Sequence, residues 1–260
     1  MKDLSSNILV RRTQGGVLTL CFNAANAHNP FSAEMERAVT LALRAAEEDP
    51  DVLAVVLSGG RARSFSVGGD FNEVKQFEGG AEVDRWIEDV VGMYIACLEL
   101  DKPTVAALDG YAIGIGFQLA LCCDHRLGTA RCQLIMPELE NGIACTIGQY
   151  MLEKMLGRAQ MQRIVIECDR FEPDESMRLG LLNAVCEPDA LLDRAQQIAE
   201  RLIAYPRVSY ATTKRTMNRA FAEGLRQIIP VAQRDHRASF KDRAAQRFMT
   251  KILGGDRCNT

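Results

Sequence analysis

Two glycine-bearing turns and one carboxylate carry the chemistry legible in this chain. Ser64-Phe-Ser-Val-Gly-Gly-Asp70 sets Gly68 and Gly69 at a bend, and a second glycine-rich turn holds Gly110, Gly114 and Gly116, about 45 residues later. Each turn follows a short apolar run. Backbone N–H groups converging from two such turns make an oxyanion hole, which stabilises an enolate or tetrahedral oxyanion more than the ground-state carbonyl. The glycines have a plainer reading too, as residues that only permit tight bends. Met136-Pro-Glu-Leu139 places Glu138 just after another short run, with Pro137 fixing the backbone before it. Glu138 is then either the acid–base partner of the hole or a solvated loop residue.

Other chemistries fail on spacing. Position 119 is Leu119 where a dinucleotide fingerprint needs a third glycine after Gly114-Ile-Gly116. No phosphate-loop Gly-Lys-Ser/Thr and no Gly-x-Ser-x-Gly elbow occurs. The three histidines, His28, His125 and His236, lack metal-ligand spacing, so no metal is expected. A formal charge of −3 gives no footprint for nucleic acid or anionic membrane. No apolar run is long enough to span a bilayer, and the N-terminus lacks a signal-peptide core. The nine cysteines form no C-x-x-C pair and lie mostly in apolar runs. They read as reduced core residues of a cytoplasmic protein.

The elements that must position these residues follow from periodicity and punctuation. Ile8–Val10 and Val17–Phe22 flank Thr13-Gln-Gly-Gly16 as a hairpin. Ser32 reads as the N-cap of a helix to about Glu48, stopped by Asp49-Pro50, and Leu53–Leu57 as a buried strand. Strand, helix, strand implies a parallel crossover. A helix is expected over about 83–100, a buried strand over Thr104–Leu108, and an apolar helix over Phe117–Cys123. Short strands are expected over 125–128, 133–135 and 183–186. From about 190 the periodicity is helical, with Pro206 and Pro230 as breaks. The chain thus divides into a sheet-containing core, 1–200, that holds the site, and a helical C-terminal unit, 201–260.

These motifs, in this order, resemble the crotonase superfamily of enoyl-CoA hydratases and isomerases. The matching pieces are Ser64–Phe71, Lys102–Gly110, Gly114–Gly116, Ala120–Asp124, Pro137-Glu138 and Ala211-Thr-Thr-Lys-Arg215. The resemblance spans residues 8 to 255 and implies an α/β fold, a spiral of repeated ββα units with a helical C-terminal region. It also implies a homotrimer or dimer of trimers. Gly69 and Ile115 would supply the two N–H groups of the hole, with Gly68 and Gly114 shaping it, for the thioester oxygen of an acyl-CoA. Arg61, Arg63, Lys75 and Lys214, with Arg215, are candidates for the CoA phosphates.

Departures narrow the activity. Typical hydratases carry a second glutamate where Gln118 stands, and an amide does not exchange a proton at neutral pH. The chain resembles more closely the carboxymethylproline synthases of carbapenem biosynthesis, on His28-Asn-Pro-Phe-Ser32, SFSVGGDFNEVKQ at 64–76, DGYAIGIGFQ at 109–118 and Met136–Leu139. That resemblance implies malonyl-CoA and pyrroline-5-carboxylate as substrates, with no cofactor beyond the CoA that the substrate carries. Gln118, Trp86 and His236 become substrate-facing candidates and Glu138 the base that activates water. Ordinary core packing is the alternative for Trp86, and a satisfied surface histidine an equal one for His236. A malonyl- or methylmalonyl-CoA decarboxylase, an enoyl-CoA isomerase, an acyl-CoA hydrolase and a non-catalytic binder are the alternatives.

Overall fold

The computed structural model describes residues 6–12 and 15–254. The large sheet is built from β1 (Ile8–Arg12), β2 (Val17–Phe22), β3 (Ala54–Ser58), β4 (Thr104–Leu108), β6 (His125–Thr129) and β9 (Ala184–Cys186), in that spatial order. β1 and β2 pair antiparallel and every later pair is parallel. Thr13 and Gln14, the first half of the expected hairpin turn, lie outside the described residues. A smaller sheet joins β5 (Tyr111–Ile113), β7 (Gln133–Ile135) and β8 (Arg170–Phe171). Single parallel bridges at Phe31–Gly69 and Ser66–Ala112 extend its line of pairing.

The repeat is visible in this pairing. Each turn of chain lays a strand in the large sheet, then a shorter extended piece in the second line, and then a helix. After Phe31 comes α1 (Ala33–Glu48), and after Gly69 come α2 (Phe71–Val74) and α3 (Ala81–Leu98). After β5 comes α4 (Ile115–Leu121), and after β7 come α5 (Thr146–Leu156) and α6 (Arg158–Glu167). α7 (Pro173–Arg178) lies between β8 and β9, and α8 (Leu191–Ile203) and α9 (Arg207–Lys241) follow β9. The last element is α10 (Ala244–Leu253). No helix among the described residues is long and apolar enough to cross a membrane.

Side-chain alternation decides the two faces of the large sheet. Leu18, Leu20, Val55, Leu57, Ala106 and Leu108 point into the main core with the helices of the repeats. Their neighbours Val17, Ala54, Val56, Val105 and Ala107 face the other way, onto Leu191, Ala195 and Ala199 of α8. Because both faces are covered, the central strands read as continuous apolar runs and not as alternation.

Several of the family-like motifs turn out to hold the frame. Lys102 Nζ donates to the carbonyls of Ala46, Glu47 and Asp49, closing the C-terminal end of α1. Asp124 accepts from the Thr104 N–H and hydroxyl, which ties the end of α4 to the start of β4. Asp109 accepts from Thr129 and Arg131.

Pro230 corrects one expectation. It does not break the C-terminal region but lies inside the continuous 35-residue α9. One missing N–H bond is outweighed because Ala222, Leu225, Ala232 and Phe240 on either side are buried in the main core. Pro206 does mark a boundary, as the residue before the first turn of α9. Ala245 and Met249 of α10 join the same core.

Candidate active site

The site forms where the two glycine turns meet α3, the Glu138 loop and α9. A cleft of about 640 Å³, counting its open mouth, is lined by Gly68, Gly69, Gly114, Ile115, Gln118 and Glu138, with Trp86, Cys145 and His236 around them. Gly68 and Gly114 both have positive φ, +87° and +49°, so the bends need glycine. A Cβ at Gly68 would stand 3.1 Å from the Ile113 carbonyl oxygen and 3.8 Å from the Ile115 nitrogen. The two turns therefore touch backbone to backbone.

Around these turns the N–H groups are largely accounted for. Gly68 donates to Ser66 Oγ, Asp70 to the Phe31 carbonyl and Gly114 to the Ile135 carbonyl. Gly69 N–H and Ile115 N–H make no hydrogen bond among the described residues. Ile115 opens α4, where the first N–H groups have no intrahelical partner. With seven residues α4 is short, so the two N–H groups, more than a helix dipole, give this spot its positive character. Ile115 Cδ1 and Trp86 Cζ2 flank Gly69, within 3.7 and 3.8 Å of where its Cβ would be.

Glu138 lines the same cleft as this pair. Its Oε1 accepts from Gln118 Nε2 at 2.8 Å, and Oε2 is buried without a hydrogen-bond partner. Burial pushes its carboxyl up to about 7, against the weaker opposing pull of its own backbone, the Cys145 thiol and the Gln118 amide. A Cβ at Gly114 would lie 3.4 Å from Oε1, so base and hole share one wall. At neutral pH such a group both takes and gives a proton, as a catalytic acid–base needs. The solvated-loop reading of Glu138 is thereby set aside.

Gln118 requires a revision. Its amide lines the cleft, but its polar ends are committed within the protein: Nε2 to Glu138 and to Met136 Sδ at 3.4 Å, and Oε1 to the Tyr94 hydroxyl at 3.0 Å. It holds the carboxylate and is not free to bind a substrate carboxylate. Gly148 fits this packing, because a Cβ there would come 3.2 Å from Gln118 Nε2 and 2.8 Å from Met136 Sδ. Tyr94, Cys145 and Gly148 carry no motif. Their place was not legible, since each reads in sequence as an ordinary core position.

Trp86 borders the cleft and is also packed edge-to-face with Phe77, Phe240 and His236. Its indole Nε1 donates to Glu36 Oε1 at 3.2 Å, behind the wall. Glu36 is fully buried, and desolvation raises its carboxyl well above the usual range. His236 is buried, not on the surface. Its Nδ1 donates to the Ala232 carbonyl at 2.7 Å, and burial lowers its basicity, so the ring is neutral with Nε2 as the bare nitrogen.

The expected CoA-binding cations divide. Lys214 is 2% exposed and donates to Asp124 Oδ2 at 2.7 Å and to the Lys102 carbonyl at 2.8 Å. It joins α9 to the frame and does not reach a ligand. Arg215 pairs with Asp101 on the surface. Arg63 is also structural, since its Nη2 donates to Ala24 O, Asn26 O and Asn29 Oδ1, clipping the 24–29 loop to the first turn. Arg61 is exposed on a separate depression, beside Arg131 and Asp189, and Lys75 is half-buried at the end of α2. No group of three or more His, Cys, Asp or Glu residues among those described could hold a metal ion.

Known proteins resemble this chain in sequence and in fold. The model of the enoyl-CoA hydratase/isomerase family matches residues 12–252. The chain is 41% identical to the carboxymethylproline synthase of Pectobacterium carotovorum, over 92% of this chain and 95% of that protein. It is 28% identical to the short-chain-enoyl-CoA hydratase of Clostridium acetobutylicum, over 82% of each. Among solved structures, ThnE from S. clavuligerus superposes with a TM-score of 0.77 at 35% identity, covering 88% of this chain and all of that one. An enoyl-CoA hydratase/isomerase from Mycobacterium paratuberculosis, at 22% identity, shares the fold with a TM-score of 0.86. The chain belongs to the enoyl-CoA hydratase/isomerase family of the crotonase superfamily.

Proposed function

We propose that the protein is a carboxymethylproline synthase. It decarboxylates malonyl-CoA, adds the resulting enolate to pyrroline-5-carboxylate and hydrolyses the thioester. The observation that carries this reading is the carboxylate inventory of the cleft. Among the described residues Glu138 is the one acidic residue lining it, and the position of a hydratase's second glutamate is an amide locked to the first. Two-carboxylate hydration lacks one of its groups. An enolate pathway needs only a hole and one base, and the 41% identity to a carboxymethylproline synthase favours this one.

In this scheme the thioester oxygen accepts from Gly69 N–H and Ile115 N–H. Loss of CO2 leaves its electron pair on the enolate, which the two donors stabilise. The enolate carbon attacks the C=N carbon of the protonated pyrroline, whose cationic ring suits the face of Trp86. Water then attacks the thioester carbonyl as Glu138 takes its proton. The tetrahedral oxyanion occupies the same hole and CoA leaves as the thiol. Arg61 and Lys75 are the cations proposed for the CoA phosphates. A homotrimer or dimer of trimers is the proposed assembly, and sedimentation analysis tests it.

The test is incubation with malonyl-CoA, with and without pyrroline-5-carboxylate, read by mass spectrometry. Free carboxymethylproline, CoA and CO2 are expected only with both substrates. Acetyl-CoA as the sole product under either condition would make the protein a decarboxylase. Inert malonyl-CoA with turnover of a 3-enoyl-CoA would make it an isomerase, and bound ester without product a non-catalytic binder.

A further inference from the structure

Behind the cleft lies a hydroxyl that the scheme above does not use. Tyr94, on α3, is 0% exposed, yet its oxygen touches both halves of the catalytic apparatus. It donates to Gln118 Oε1 at 3.0 Å, and it lies 3.4 Å from the carbonyl of Ile115, the residue that opens α4. From Gln118 the line continues through Nε2 to Glu138 Oε1 at 2.8 Å.

We propose that Tyr94 is a positioning residue for Glu138. By donating to Gln118 Oε1 it fixes which end of the amide faces the carboxylate, and so leaves Glu138 Oε2 as the oxygen that exchanges the proton. An amide is nearly symmetric in shape, and a half-turn about its last bond swaps a donor for an acceptor. The flipped form would set an amide oxygen against an ionised carboxylate. A phenol kept neutral by burial supplies the donor that the amide oxygen needs. The amide nitrogen is then committed to Oε1, and Oε2, buried without a hydrogen-bond partner, is left to take the proton. The relay shares the polar support of Glu138 with the residue's own backbone and the Cys145 thiol. Besides Tyr94 from α3 and Gln118 from α4, the titratable neighbours are the Cys145 thiol before α5, the Cys168 thiol after α6 and neutral His236 from α9 across the cleft. None is a cation.

This inference rests on the reading of Glu138 as the base, so its test needs a readout independent of substrate. The Glu138 side-chain carbon is titrated by NMR in 13C-glutamate-labelled protein, with Glu138→Gln assigning the signal. Tyr94→Phe should raise the midpoint by up to about one pH unit, the worth of the hydrogen bond from the Gln118 amide to the charged carboxylate that the hydroxyl orients. Gln118→Met should raise it similarly. Adding Tyr94→Phe to Gln118→Met should raise it no further, because the hydroxyl acts through the amide. The pH profile of thioester hydrolysis should move in the same direction. An unchanged midpoint in Tyr94→Phe, or an equal shift in the Gln118→Met background, overturns the proposal. Should Tyr94→Phe fail to fold, Tyr94→Met removes the hydroxyl in a second way and is read identically. If the wild-type protein makes no carboxymethylproline while the midpoint moves as expected, the substrate reading fails and the positioning role stands.

Discussion

Glu138 is a compromise between stability and function that a single atom exposes. Burial of the carboxyl, whose Oε2 has no hydrogen-bond partner, raises it from 4.5 to about 7. A folded-state value above the unfolded one means that the native state holds the proton longer. The cost of ionising Glu138 is absent below about pH 4.5, grows as the pH rises, and is complete above about 7. The gap corresponds to roughly 3 kcal/mol. Glu138→Gln should therefore be more stable than the native protein at pH 8 and nearly equal to it at pH 4.5, by thermal melting across pH. Equal destabilisation at both values would refute the assignment. The same substitution should lower thioester hydrolysis by about 10²–10⁴-fold and let the carboxymethylprolyl-CoA thioester accumulate, as chromatography of the quenched reaction would reveal. In the native protein, hydrolysis should rise with pH through about 7, because the ionised form is the base.

The two glycine turns are the elements on which the hole depends, and their backbone is unusual. Gly114 sits at φ +49° and ψ −117° immediately before α4, a conformation that side chains resist. Gly114→Ala should cost about 1–3 kcal/mol of stability through strain and crowd Glu138 Oε1. By displacing Ile115 N–H, it should also lower CO2 release from malonyl-CoA by about 10²–10³-fold. Release at the native rate from folded protein would show that this N–H is not part of the hole. The elements around the turns were read from sequence with uneven success. Thr104–Leu108 and Gln133–Ile135 lie where their apolar runs predicted. β5, β8 and α2 are not legible, because each has two to four residues and abuts the punctuation of a turn: Gly110 and Gly114, Glu172-Pro173, and Gly68-Gly69. The pairing of β5 and β8 comes from the second sheet, which the chain forms only as it coils.

At the scale of the molecule, residues far apart in sequence set one another's roles. Lys214 reads as a candidate phosphate-binding cation, but folding buries it against Asp124, ninety residues earlier. Lys214→Met should destabilise the protein by about 3–5 kcal/mol, since Asp124 would be left without its cation, while the KM for malonyl-CoA in the folded fraction stays unchanged. Urea titration and steady-state kinetics separate these effects, and a raised KM at native stability would restore the binding role. His236 shows the reverse case. It lies nearly a hundred residues beyond Glu138, and the packing of α9 against the core brings it to the same cleft.

The sequence by itself determined the fold family, the two turns, the lone carboxylate and the amide at 118. The family follows from the resemblance of its motifs to those of the crotonase superfamily, and the turns and strands from short-range constraints: glycine where φ is positive, apolar runs where strands are buried on both faces, proline before a fixed carboxylate. Only the tertiary structure decided what those groups touch. It turned Gln118 from a substrate contact into the brace of Glu138, took Lys214 and Arg63 out of ligand binding and put Tyr94 behind the site. The physical reason is that burial and hydrogen-bond partnership are properties of contacts distant in the chain. A side chain's charge and reach are written in its type, but whether it is spent on the frame or left for a ligand depends on what folding places beside it.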